Sequence, residues 1–168
     1  LGFDLSRRRV TLSTSGLAPQ ILRMADDCNV ALAVSLHAAN DQLRNELVPI
    51  NKRYPIDDLM AACSDYLEAK GRRLSFEWAM IDGVNDRDSD ARELAELCRR
   101  LRPSAHVNLI PLNPTVGFGG HAARSDRIAR FAQRLRDRGV QVSIRRNRGV
   151  DIDAACGQLR ARTPAVPD

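Results

Sequence analysis

"VALAVSLH", residues 30–37, decides how this chain folds. Its first seven residues, 30–36, are a continuous apolar run. They suit a strand covered on both faces, the pattern of parallel sheets wrapped by helices. The flanks agree. "GLAPQILRMADD" (16–27) has helical spacing, with Pro19 near the first turn, where a missing N–H costs nothing. "DQLRNELVP" (41–49) reads as a short helix stopped by Pro49.

Further out, the same alternation repeats. "RVTLST" (9–14) is a β-branched strand before the first helix. "PIDDLMAACSDYLEAKG" (55–71) has apolar residues at 56, 59, 60, 63, 66 and 67, which is helical spacing closed by Gly71. "RLSFEWAMI" (73–81) is a strand, "GVND" (83–86) a turn, and "SDARELAELCRRL" (89–101) a helix with Ser89 as its expected N-cap. "HVNLIPL" (106–112) is a fourth strand. "NPTVGFGG" (113–120) is a glycine-rich loop that lacks the Gly-Lys-Ser/Thr of a phosphate cradle. "SDRIARFAQRLRDRG" (125–139) is a helix and "VQVSIRR" (140–146) a fifth strand. A last helix is expected near 151–161, and 162–168 as a loose tail.

Strand–helix alternation five times over predicts an α/β fold with parallel strands and right-handed crossovers. It suits a partial (β/α) TIM-like barrel or an open doubly wound sheet. Five strands do not close an α/β barrel. The chain opens on "LGFDLSRRRV" without an initiator Met, so it reads as the C-terminal portion of something longer, with further strands before it. The 168 residues suffice for one domain. No apolar run approaches the ~20 residues that span a bilayer.

The net charge is +5, carried mainly by arginine at 7–9, 99–100 and 145–148. A basic surface favours polyanions, because each neutralised phosphate releases counterions; a GC-rich genome, in which Arg replaces Lys, gives the same composition without a partner. The cysteines, Cys28, Cys63, Cys98 and Cys156, lie tens of positions apart, which excludes a CxxC metal motif. The first three sit in apolar patterns and are expected to be packing residues.

Active sites of α/β folds lie at the carboxyl ends of the strands. Those ends carry "STSG" (13–16), "SLH" (35–37), "MIDG" (80–83), "LNP" (112–114) and "RRNRG" (145–149). Singly, each has a plain explanation. Ser13 and Ser15 could cap the next helix, His37 could be a satisfied core histidine, and Asn113 could start a turn. Gathered at one rim, they suggest a polar ligand with sugar-like hydroxyls. Glu77, inside the third strand, faces either a barrel interior or solvent. Cys156, in "DIDAACGQL" (151–159), is either a packed helical cysteine or a thiol given room by Ala154, Ala155 and Gly157.

"RRVTLSTSG" (8–16), "VALAVSLHAANDQLRNELVPINKRYPI" (30–56), "VNLIPLNP" (107–114) and "RRNRGVDIDAACGQL" (145–159) resemble the C-terminal half of the RlmN-type RNA adenine-C2 methyltransferases, over about residues 2–160. The resemblance implies a partial radical S-adenosylmethionine (SAM) barrel. Its cofactors are SAM and a 4Fe-4S cluster, and its substrates are 23S ribosomal RNA and tRNA. An electron donor, a cytoplasmic location and a monomeric state go with it. The family's SAM contacts carry over to Ser13, Ser35, Leu36, His37 and Asn113, and its methyl carrier to Cys156. Arg145, Arg146 and Arg148 become candidates for RNA phosphates, or a solvated strand end.

The implied chemistry gives the Cys156 thiol a purpose. Adenine C2 is electron-poor and cannot displace the SAM methyl. The thiolate can, since it is a good nucleophile. A second SAM, reduced by the cluster, then yields a 5′-deoxyadenosyl radical that takes hydrogen from the S-methyl group. The carbon radical adds to C2, and a second cysteine releases the product by forming a disulfide with Cys156. The family's CxxxCxxC and Gly-Gly-Glu motifs, its resolving cysteine and its RNA-binding domain are expected upstream of residue 1, so no metal ligand is assigned here. The 168 residues alone are expected to hold no iron and turn over no substrate. Competing readings are adenine-C8 methylation by the same carrier chemistry, a non-catalytic basic RNA-binding remnant, and a phosphosugar barrel, for which "RRNRGV" lacks the phosphate loop.

Overall fold

Five parallel strands lie side by side in chain order, with no reversal. The computed structural model describes residues 10–113 and 119–145. The elements are β1 (Thr11–Thr14), α1 (Ala18–Asp27), β2 (Ala31–Ser35), α2 (Asp41–Leu47), a 3-10 turn (Pro49–Lys52), α3 (Ile56–Lys70), β3 (Leu74–Met80), α4 (Asp88–Arg100), β4 (His106–Pro111), α5 (Ser125–Arg136) and β5 (Val142–Ile144). Doubly wound sheets reverse their strand order at a switch point. Sequential order with crossovers of one hand instead puts the helices on one face, as in a barrel wall. The fold is a partial TIM-like barrel.

The alternating burial of β3 shows the two faces. Leu74, Phe76, Trp78 and Met80 point into the helix-covered core, whereas Ser75, Glu77 and Ala79 are half-buried on the other side. β2 does likewise: Leu32 and Val34 are fully buried in the core, and Ala31, Ala33 and Ser35 face a cavity. Its apolar run therefore reflects small residues on a concave wall, not a second layer of helices.

The polar atoms of two large aromatic side chains in the core have partners. The Trp78 indole N–H donates to the Asn85 carbonyl at 3.2 Å, with the Trp78 and Phe131 ring centroids 5.9 Å apart. The Tyr66 hydroxyl donates to the Val30 carbonyl at 2.6 Å. Pairing of buried donors in this way avoids a desolvation cost of ~1–3 kcal/mol each.

α4 begins one residue earlier than its sequence suggests. Arg87, not Ser89, is the N-cap, and its backbone N–H donates to the Asp90 carboxylate at 2.8 Å. Asp90 at the third helical position satisfies the entry from within, leaving Ser89 inside the first turn. The expected last helix (151–161), the 162–168 tail, Cys156, Arg146, Arg148 and part of the glycine-rich loop lie outside the described residues. Among the described residues no helix is long and apolar enough to cross a membrane.

Candidate functional site

The concave face of the sheet borders a cavity of about 770 Å³. Ser13, Ser35, His37 and Asn113 all line it. Four of the five candidate contacts thus meet on one surface, although Ser13 and Asn113 are 100 positions apart in the sequence. Leu36 departs from the group. Its side chain is fully buried in the core, its N–H donates to the Glu77 carbonyl, and its carbonyl accepts from Ala38 N–H and Arg44 Nε.

Local structure settles the role of the serines' neighbourhood. Thr14 Oγ1 accepts from the N–H of Gly16 at 3.1 Å and of Leu17 at 3.5 Å. Thr14, not Ser13 or Ser15, therefore closes the turn into α1, and Ser13 faces the cavity.

His37 is the one non-glycine residue with positive φ among those described, at 59°. The Ala38 N–H bonds back to the Leu36 carbonyl at 2.8 Å, so His37 is the centre of a three-residue γ-turn of the rare positive-φ kind. Such conformations cost on the order of 1–3 kcal/mol and persist only where the surroundings hold them. The surroundings here are specific. His37 Nδ1 accepts from the Ala79 N–H at 3.0 Å, and the His37 carbonyl accepts from Asn85 Nδ2 at 2.8 Å. Burial, with the Arg44 guanidinium second, pulls the imidazole pKa down to about 4. The ring is therefore neutral, and with Nδ1 accepting, its proton sits on Nε2. His37 is a neutral hydrogen-bond donor at the rim.

Arg44 organises the rim from behind. Fully buried, it donates from Nε to the Leu36 carbonyl (3.1 Å), from one terminal nitrogen to Asn51 Oδ1 (2.7 Å), and from the other to the carbonyls of Ser15 (2.8 Å) and Ser35 (3.2 Å). Asn51 in turn donates to Asp41 Oδ1 and Asn45 Oδ1, both at 2.8 Å. The planar guanidinium fork thus ties the loops after β1 and β2 together. Asn85 does the same for β3: it donates to the carbonyls of His37 and Ala79 and accepts from Ile81 N–H.

The cavity floor is polar. Glu77 accepts from Ser75 Oγ at 3.1 Å and from Asn108 Nδ2 at 2.7 Å. Asn108 Oδ1 accepts from Ser143 Oγ at 3.1 Å, and that hydroxyl contacts His106 Nε2 at 2.8 Å. Glu77 thus faces the barrel interior. Arg145 is exposed at the same rim.

Cys63 and Cys98 are poor nucleophiles. Burial pushes the thiols of Cys63 and Cys98 up to about 12, and Cys28 is half-buried at the end of α1. Only thiolate reacts. No group of three or more His, Cys, Asp or Glu suited to a metal ion occurs among the described residues. Their donor set therefore fits a nucleoside-like molecule and does not fit an iron–sulfur cluster.

Sequence reading found the serines, His37 and Asn113 but passed over Arg44 and Asn85. Arg44 is the buried residue of a short helix whose leucines, Leu43 and Leu47, are half-buried.

This curved parallel wall, polar on its concave face, is a partial α/β barrel similar to those of radical SAM enzymes of known structure. The crystal structure of a radical SAM methyltransferase from Sphaerobacter thermophilus superimposes with a TM-score of 0.88, at 55% sequence identity over 94% of this chain. The chain spans 46% of that protein's length. A domain of a pyruvate-formate lyase-activating enzyme from Bacteroides vulgatus shares the fold at a TM-score of 0.64 and 18% identity, covering 81% of this chain and 80% of that domain. No protein-family model matches the chain.

Proposed function

We propose that the chain is the SAM-binding, methyl-carrying portion of a radical SAM methyltransferase that modifies C2 of adenine in 23S ribosomal RNA and tRNA. The observation that carries this reading is the 55% identity to a radical SAM methyltransferase over 94% of the chain. The convergence of Ser13, Ser35, His37 and Asn113 on one cavity supports it. SAM, when bound, supplies the methyl group and, beside a reduced 4Fe-4S cluster, the oxidising power to remove a hydrogen atom from a methyl carbon. The cluster is held by residues other than those described.

The chain's own residues then have distinct tasks. The hydroxyls of Ser13 and Ser35 and the amide of Asn113 bind polar groups of the cofactor. His37 donates from Nε2 without adding charge beside a cationic sulfonium. Arg44 and Asn85 hold the loops that present these groups. The Cys156 thiolate accepts the methyl group that adenine C2 cannot take directly, and a transient disulfide frees the product. The net charge of +5 favours an RNA substrate. An intracellular electron donor and a cytoplasmic, monomeric enzyme complete the proposal.

The test is mass spectrometry of nucleosides from 23S ribosomal RNA and tRNA treated with the anaerobically reconstituted holoenzyme. The expected product is 2-methyladenosine. The Cys156→Ala variant is expected to bind RNA normally and to form none. Appearance of 8-methyladenosine would move the reaction to the neighbouring carbon, and full methylation by Cys156→Ala would remove the carrier role.

A further inference from the structure

Interiors of α/β barrels are ordinarily filled by layers of branched apolar side chains. Here one layer across the concave wall is Ser35, Glu77, Asn108 and Ser143, each in register with the next on the adjacent strand. Among the described residues lining the cavity, Glu77 is the sole carboxylate. No described arginine or lysine lies within ion-pair distance of it. A half-buried carboxylate without a counter-charge costs free energy, so its presence needs a reason.

The hydrogen bonds supply one. Ser75 donates to Oε1 and Asn108 to Oε2, so one bond fixes each oxygen. Asn108 is itself oriented by Ser143, whose hydroxyl contacts His106. An ionised carboxylate has about four acceptor positions. Two are occupied, one on each oxygen, which leaves a matched pair in a locked orientation. Two adjacent acceptors complement two adjacent donors, the geometry of a vicinal diol.

We propose that Glu77 binds the 2′- and 3′-hydroxyls of the cofactor's ribose. The inference rests on the SAM-dependent reading above. It assigns Glu77 a part in recognising the sugar, not in attracting the positive sulfonium.

Glu77→Gln separates these roles. The amide oxygen still accepts from Asn108 and the amide nitrogen can donate to Ser75, so the layer keeps its internal bonds while the spare acceptor pair is lost. In the reconstituted holoenzyme, calorimetry would compare SAM, neutral S-adenosylhomocysteine and the 2′,3′-dideoxy analogue of the latter. Loss of hydrogen bonds to a charged acceptor predicts roughly ten- to hundredfold weaker binding of both SAM and S-adenosylhomocysteine. The wild type should disfavour the dideoxy analogue by a similar factor, and Glu77→Gln should bind that analogue as the wild type does. Weakening of SAM alone would assign Glu77 to the sulfonium and overturn the inference. So would wild-type binding of the dideoxy analogue equal to that of S-adenosylhomocysteine, a result independent of how well the variant folds. A wild-type holoenzyme that binds no SAM would instead overturn the proposed function.

Discussion

One guanidinium nitrogen of Arg44 donates to the backbone carbonyl of Ser15 at 2.8 Å, although the two residues are 29 positions apart. The same nitrogen reaches the Ser35 carbonyl, and the rest of the fork holds Leu36 and Asn51. A single planar cation therefore fixes the spacing of the loops after β1 and β2. Lysine has charge but no fork, so Arg44→Lys leaves at least one buried carbonyl without a donor. The expected cost is about 3 kcal/mol, from bonds to a charged group worth about 1.5–3 kcal/mol each. Urea titration should show a lower midpoint with an unchanged slope.

Gly16 makes room for that clamp. Its φ is +109°, and a Cβ there would lie 2.8 Å from a terminal nitrogen of Arg44. Gly16→Ala therefore combines backbone strain with displacement of a buried cation held by four hydrogen bonds. Gly71, at the end of α3, also has positive φ, but a Cβ there meets nothing within 4 Å. Gly71→Ala should cost about 1 kcal/mol and Gly16→Ala at least about twice that, by thermal or urea unfolding. In a double-mutant cycle Gly16→Ala and Arg44→Lys should couple strongly, because each disturbs the same contact.

Much of this was legible in the sequence because strands and helices write different periods. The run at 30–36 and the apolar spacing at 56–67 each name an element, and strict alternation names a parallel fold. The rim was legible too, because strand ends are where polar residues interrupt apolar runs. The choice between barrel and doubly wound sheet was not, since strand order is a long-range property. Nor was the direction of Glu77, because a charged residue inside a strand is compatible with either face until its neighbours are known. Arg44 stayed hidden for a related reason. Three of its four acceptors are backbone carbonyls, and carbonyls leave no trace in residue identity.

The cysteines offer a direct check on which sulfur can carry chemistry. With pKa values pushed up to about 12, Cys63 and Cys98 are ionised in about one molecule in ten thousand at pH 8. Both are fully buried as well. Brief treatment of the folded protein with iodoacetamide at pH 8, followed by peptide mass spectrometry, should leave both unmodified. Addition of denaturant should label both. Labelling of Cys63 or Cys98 in the native state would break the argument that excludes them as methyl carriers.

His37 makes stability depend on pH in a defined window. Its folded pKa of about 4 lies below the ordinary 6.5, so the unfolded chain takes up the proton first. The stabilisation is therefore whole above pH 6.5, declines as pH falls from 6.5 toward 4, and levels off below that. A depression of this size corresponds to about 3 kcal/mol between pH 7 and pH 4. Further groups take up protons on acidification, so the comparison must be differential. Asn tolerates positive φ better than other residues with side chains, which makes His37→Asn the variant that keeps the γ-turn while removing the titration. The stability gap between wild type and His37→Asn, from urea unfolding at pH 7 and pH 4, should shift by about 3 kcal/mol against the wild type on acidification. A gap that stays constant would mean that the imidazole titrates alike in both states, and that burial does not hold His37 neutral as the pH falls.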